Sequence, residues 1–126
     1  MEQSTVLIVE DDETLQRIYR RTIGTRLKIV FASTVEEGKR MFLEHRRDLV
    51  AVILDGIVPL SHGDIRPYGS PPTTLDLARS IRSMFTGPIL AVSSGDNKAL
   101  LGAGCTHSCD KTKLPEEVRR VLGLDT

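Results

Sequence analysis

The 126-residue chain lacks an excess of either charge, since seventeen lysines and arginines balance seventeen aspartates and glutamates. That excludes the basic footprint on which nucleic-acid binding rests, and no direct DNA or RNA binding is expected. Long hydrophobic runs are missing too. No stretch approaches the roughly 20 apolar residues of a membrane span, and "MEQSTVLIVE" has neither the basic start nor the cleavage site of a signal peptide. A cytoplasmic location without a membrane partner is the expectation. Cysteine is scarce: Cys105 and Cys109 flank His107 in "CTHSC". Without a distant second ligand pair this is not a structural zinc pattern, so reduced, partly buried packing thiols are expected. The first turn, "EDDET", also lacks the glycines of a phosphate cradle and would repel phosphate, which excludes a nucleotide-binding module. A chain of this length is expected to form one domain.

What is present is an alternation of short apolar runs with segments of helical period. Residues 5–10 (TVLIVE), 27–32 (LKIVFA), 49–55 (LVAVILD), 88–94 (PILAVSS) and the weaker 106–110 (THSCD) predict strands. Leu15, Ile18, Tyr19, Thr22 and Ile23 fall on one helical face, with Gly24 as a stop. A second helix is expected from Ser33, which stands in capping-box spacing with Glu36. "TTLDLARSIRSMF", the short "DNKALLG" and "LPEEVRRVLG" supply three more, the last with Pro115 at a first-turn position. Strands that alternate with helices, and are apolar on both faces, predict an α/β fold with a parallel sheet covered on both sides. In such sheets ligands bind beyond the carboxyl ends of the strands.

Those ends carry Glu10, Asp11 and Asp12 after the first strand, Asp55 at the third, Ser93 and Ser94 at the fourth, and Lys111 after the fifth. In "AVILDGIVP" the most apolar segment runs straight into Asp55, an expensive placement unless the charge is compensated. Facing carboxylates repel one another, so a cation must sit among them. Hard oxygen ligands without histidine or cysteine suit Mg2+, and Asp55 beside Mg2+ and Lys111 is placed as a nucleophile toward a phosphoryl donor. Ser93 is then a donor to a transferred phosphoryl oxygen. Asp11 and Asp12 have a plainer reading as caps of the helix that begins near Glu13.

The segments "VLIVEDDETL", "AVILDGIVP", "ILAVSSGD" and "CDKTKLPEEV" together resemble the receiver domain of bacterial two-component response regulators, of the chemotaxis-regulator type. The resemblance implies a doubly wound five-stranded parallel sheet in the order 2-1-3-4-5, a flavodoxin-like three-layer sandwich, over 1–126. It implies Asp55 as phosphoacceptor of a histidine kinase or phosphotransfer protein, with a downstream protein target. It also implies Mg2+ held by Asp11, Asp12, Asp55 and the Ile57 backbone carbonyl, with Lys111 and Ser93 as catalytic and switch residues. Pro59 and Gly63 in "PLSHG" match the loop after the phosphoacceptor. Such a domain is a signalling phosphoacceptor and catalyses only its own phosphorylation and dephosphorylation.

The sequence departs from that family's pattern in four places. Thr112 follows Lys111 where proline in a cis peptide is usual; either a trans bond with a moved lysine or a strained cis bond is expected. The switch aromatic of the fifth strand is missing near Ser108, and the fourth helix is about one turn short. An insertion of roughly ten residues, about 64–74, separates the third strand from its helix, so that His62, Arg66 or Tyr68 stands within possible reach of the phosphoryl group. These departures keep open a second reading, a pseudo-receiver that works as a protein-interaction module without phosphorylation. A haloacid-dehalogenase-type phosphatase would need a second acid two residues after the nucleophile, where this chain has Ile57.

Overall fold

The computed structural model describes residues 4–23, 26–64, 72–93 and 97–124. Five strands, β1 (Thr5–Val9), β2 (Lys28–Ala32), β3 (Leu49–Asp55), β4 (Ile89–Val92) and β5 (His107–Cys109), form one parallel sheet in the order β2-β1-β3-β4-β5. They alternate with α1 (Glu13–Thr22), α2 (Val35–His45), α3 (Leu75–Arg82), α4 (Lys98–Gly102) and α5 (Leu114–Val121), the last entered through a 3-10 turn at Lys111–Lys113. This is the doubly wound α/β order that the sequence resemblance implied. Among the described residues no helix is long and apolar enough to cross a membrane.

Successive side chains of a strand point to opposite faces, and each central strand here feeds two cores. Leu7, Val9, Val52, Leu54, Ile89 and Ala91 pack with Phe42 of α2, Leu77 and Ile81 of α3 and Leu100 of α4. Their neighbours Val6, Ile8, Ala51, Ile53, Leu90 and Val92 pack with Tyr19 of α1 and Leu114 and Val118 of α5. The near-continuous apolar strands follow from this double covering. Where cover ends, so does the run.

Helix ends differ from expectation by a residue or so. The cap of α2 is Thr34, whose hydroxyl accepts from Glu37 N–H, while Glu37 Oε1 accepts from Ser33 N–H at 2.8 Å. The expected Ser33–Glu36 box is thus displaced by one position. Residues 59–64 leave β3 along the start of α2, where Val35 and Glu36 N–H donate to the Pro59 and Leu60 carbonyls. Gly63 closes a turn there with φ +87°, a conformation glycine adopts without steric cost.

Candidate functional site

The chemistry-bearing side chains gather at the carboxyl edge of the sheet. The parallel register pairs Val9 with Leu54 and Asp55 with Val92. Period-two alternation then puts Glu10, after Val6 and Ile8, on the same face as Asp55, after Ala51 and Ile53. Both carboxylates are buried, at 2% and 7% exposure. Lys111 compensates them: its Nζ donates to Asp55 Oδ2 at 3.0 Å and stands 3.2 Å from Glu10 Oε1. The Lys111–Thr112 bond is trans, since no described peptide is cis, and the lysine still reaches both acids from the 3-10 turn.

One oxygen each from Glu10, Asp11 and Asp55 lie within 4.8 Å of one another, a compact set of hard donors for a divalent ion. Asp12 is engaged differently. Its Oδ1 accepts from the N–H groups of Thr14 and Leu15 at 2.8 and 3.1 Å and caps α1. The described acid cluster therefore contains Glu10, and Asp12 serves the capping role that its spacing also allowed. The signal for Glu10 lay in strand parity, because 6, 8, 10 and 51, 53, 55 run on one face.

The remaining candidates surround Asp55. Ile57 N–H donates to Asp55 Oδ1 at 3.3 Å, which sets residue 57 against the carboxylate, with its side chain half-exposed. Ser93 follows β4, and its Oγ lies 3.9 Å from where a Cβ on Gly56 would stand. Ser94, Arg66 and Tyr68 lie outside the described residues. His62 is exposed and pairs with Glu37 Oε2 at 3.5 Å, on the α2 side of the loop. Cys105 and Cys109 are free thiols, both pushed up to about 11, chiefly by burial.

Burial and the Asp55 charge raise the Glu10 carboxyl to about 8, against the lowering effect of Lys111. Lys111 itself is held well above its ordinary value by the hydrogen bond and charge of Asp55 and the charge of Glu10, which outweigh its own desolvation. Glu10 thus holds a proton readily, and the lysine does not give one up. A divalent cation entering such a site replaces a proton.

No family model and no curated relative matches the chain. Solved structures do. A two-component response regulator from Clostridium difficile is 19% identical, with a TM-score of 0.72, and covers 98% of this chain and 100% of its own. The BeF3-activated N-terminal receiver domain of Klebsiella pneumoniae RstA is 22% identical over 96% of this chain and 97% of its own, with a TM-score of 0.70. The Vibrio cholerae chemotaxis protein CheY4 is 17% identical over 95% and 99%, with a TM-score of 0.73. The chain therefore has the fold of a response-regulator receiver domain.

Proposed function

We propose that the chain is a phosphoacceptor signalling domain of a two-component phosphorelay. In this reading Asp55 takes a phosphoryl group from a histidine kinase or phosphotransfer protein, and the phosphorylated form changes its grip on a downstream protein partner. The observation that carries the proposal is the Lys111 ammonium bridging the buried Asp55 and Glu10 carboxylates at the carboxyl edge of the sheet. A fold neighbour of this chain was solved in a BeF3-activated form.

Glu10, Asp11 and Asp55 fit Mg2+ by donor type and spacing and would hold it, with the Ile57 carbonyl as the further ligand that the resemblance suggests. Bound there, Mg2+ supplies charge neutralisation for the phosphoryl oxygens. The chain supplies the rest. An Asp55 carboxylate oxygen bonds to phosphorus as the bond from phosphorus to the donor's leaving group breaks, giving an aspartyl phosphate. Lys111 orients the carboxylate through its Oδ2 hydrogen bond and offsets charge in the transition state. In this reading the Ser93 hydroxyl, which follows β4 beside Gly56, donates to a phosphoryl oxygen afterwards.

A second reading, a binding module that signals without phosphorylation, is favoured by one observation: β5 carries no aromatic, and Ser108 on it is exposed. Mass spectrometry after incubation with acetyl phosphate and Mg2+, beside an Asp55→Asn control, separates the two. An Asp55-dependent gain of one phosphoryl group supports the phosphorelay reading. Its absence favours the binding module.

A further inference from the structure

β3 ends at Asp55, paired with Val92, and from there on the backbone carbonyls need partners outside the sheet. Thr74, fully buried, supplies them. Its hydroxyl donates to the Asp55 carbonyl at 2.8 Å, with a second contact to the Gly56 carbonyl at 3.2 Å. Thr73 N–H donates to the same Gly56 carbonyl at 2.9 Å. The Thr73 hydroxyl accepts from Val58 N–H at 2.9 Å and donates to the Val58 carbonyl at 2.7 Å. Residues 73 and 74 therefore fasten 55–58 from a turn that lies fifteen or more positions away in sequence.

Thr74 also stands at the N-cap position of α3, where a threonine hydroxyl ordinarily accepts from its own helix. Here it makes no such bond. Its one hydroxyl proton goes to the Asp55 backbone rather than to a partner within α3. Behind Thr74, α3 is fixed in the core by Leu77, Ala78 and Ile81, so the anchor is rigid.

We infer that Thr74 is a positioning residue for the Asp55 carboxylate: it fixes the peptide on which the reacting oxygen is carried and, two residues on, the direction of the Ile57 carbonyl. This inference rests on the phosphoacceptor reading for its chemical meaning. Lys111 grips one end of Asp55 and Thr74 the other. Displacing a reacting group by about 1 Å costs about 100-fold in rate, and loss of one of two anchors displaces it by less.

The test compares wild type with Thr74→Val, which keeps the shape without the hydroxyl, and Thr74→Ser, which keeps the hydroxyl. Two quantities are read: the rate of phosphorylation by acetyl phosphate at saturating Mg2+, and the 13C chemical shift of the Asp55 carboxyl in metal-free protein. Thr74→Val is expected to react about 10-fold more slowly and to move the Asp55 signal, while Thr74→Ser restores both. Should the valine variant fail to fold, Thr74→Cys, with a weaker and longer donor, takes its place with the same signs. A wild-type rate and an unmoved signal in the hydroxyl-free variant overturn the inference. If wild type itself takes up no phosphate, the phosphoacceptor reading falls, and the carboxyl signal alone decides whether Thr74 positions Asp55.

Discussion

Glu10 is the cross-strand neighbour of Asp55, one residue beyond the Val9–Leu54 pair, and the two carboxyl groups approach within 4.8 Å and share the Lys111 ammonium. Folding thus raises Glu10 from its ordinary 4.5 to about 8. A carboxyl raised in this way favours the folded state fully below its unfolded value, and that contribution is lost as pH rises through the folded value. In chelator, wild type should therefore lose stability relative to Glu10→Gln between about pH 5 and about pH 9. Thermal melts across that range check it; a constant difference between the two proteins would count against the raised carboxyl.

Asp12 and Glu10 separate capping from ion binding. Asp12→Ala should cost about 1 kcal/mol, the usual loss for an N-cap, and leave Mg2+ affinity near that of wild type. Glu10→Gln and Asp11→Asn should weaken Mg2+ binding without that loss. Calorimetric titration with Mg2+, alongside urea unfolding, reads both quantities. Equal weakening by Asp12→Ala and Asp11→Asn would restore Asp12 to the ion site.

Removing the cation from two buried acids should be costly. The Lys111 side chain is 26% exposed, so its pairs fall between the surface and fully buried cases. Lys111→Met should cost about 2 kcal/mol in chelator near neutral pH, with Mg2+ restoring part of it. Denaturant midpoints with and without Mg2+ give the answer.

A fourth prediction concerns the far end of the sheet. Arg82 donates to three backbone carbonyls, through Nε to Gly104 at 3.0 Å, Nη1 to Phe85 at 2.8 Å and Nη2 to Gly87 at 2.9 Å. Arg82→Met leaves all three short of a partner and should cost about 3 kcal/mol. Arg82→Lys keeps the charge but not the planar fork and should recover less than half of the loss. Phosphorylation rates in folded protein should be unchanged in both, because the clamp is remote from Asp55.

The sheet and its helices were legible because both faces of the central strands are buried, which writes each strand as an apolar run such as "AVIL" or "ILAV". Asp55 was legible because it stands where such a run meets polar residues, and Lys111 because it follows the last, weaker strand at the same edge. That Glu10 rather than Asp12 clusters with Asp11 and Asp55 was not legible, since three acids in a row look alike until parity and register are applied together. Thr73 and Thr74 carried no local signal at all. Their partners, Val58, Gly56 and Asp55, are brought to them only by the closed chain, and a threonine before a helix reads first as a cap.

The double hydrogen bond between Val58 and Thr73 ties the two ends of the connection from β3 to α3 to each other. A change of length or composition confined to residues 65–71 is therefore expected to leave that junction, and the acidic edge behind it, in place. Such a port would accept a reporter or an epitope, or let lineages elaborate recognition beside a reactive carboxylate without retuning it.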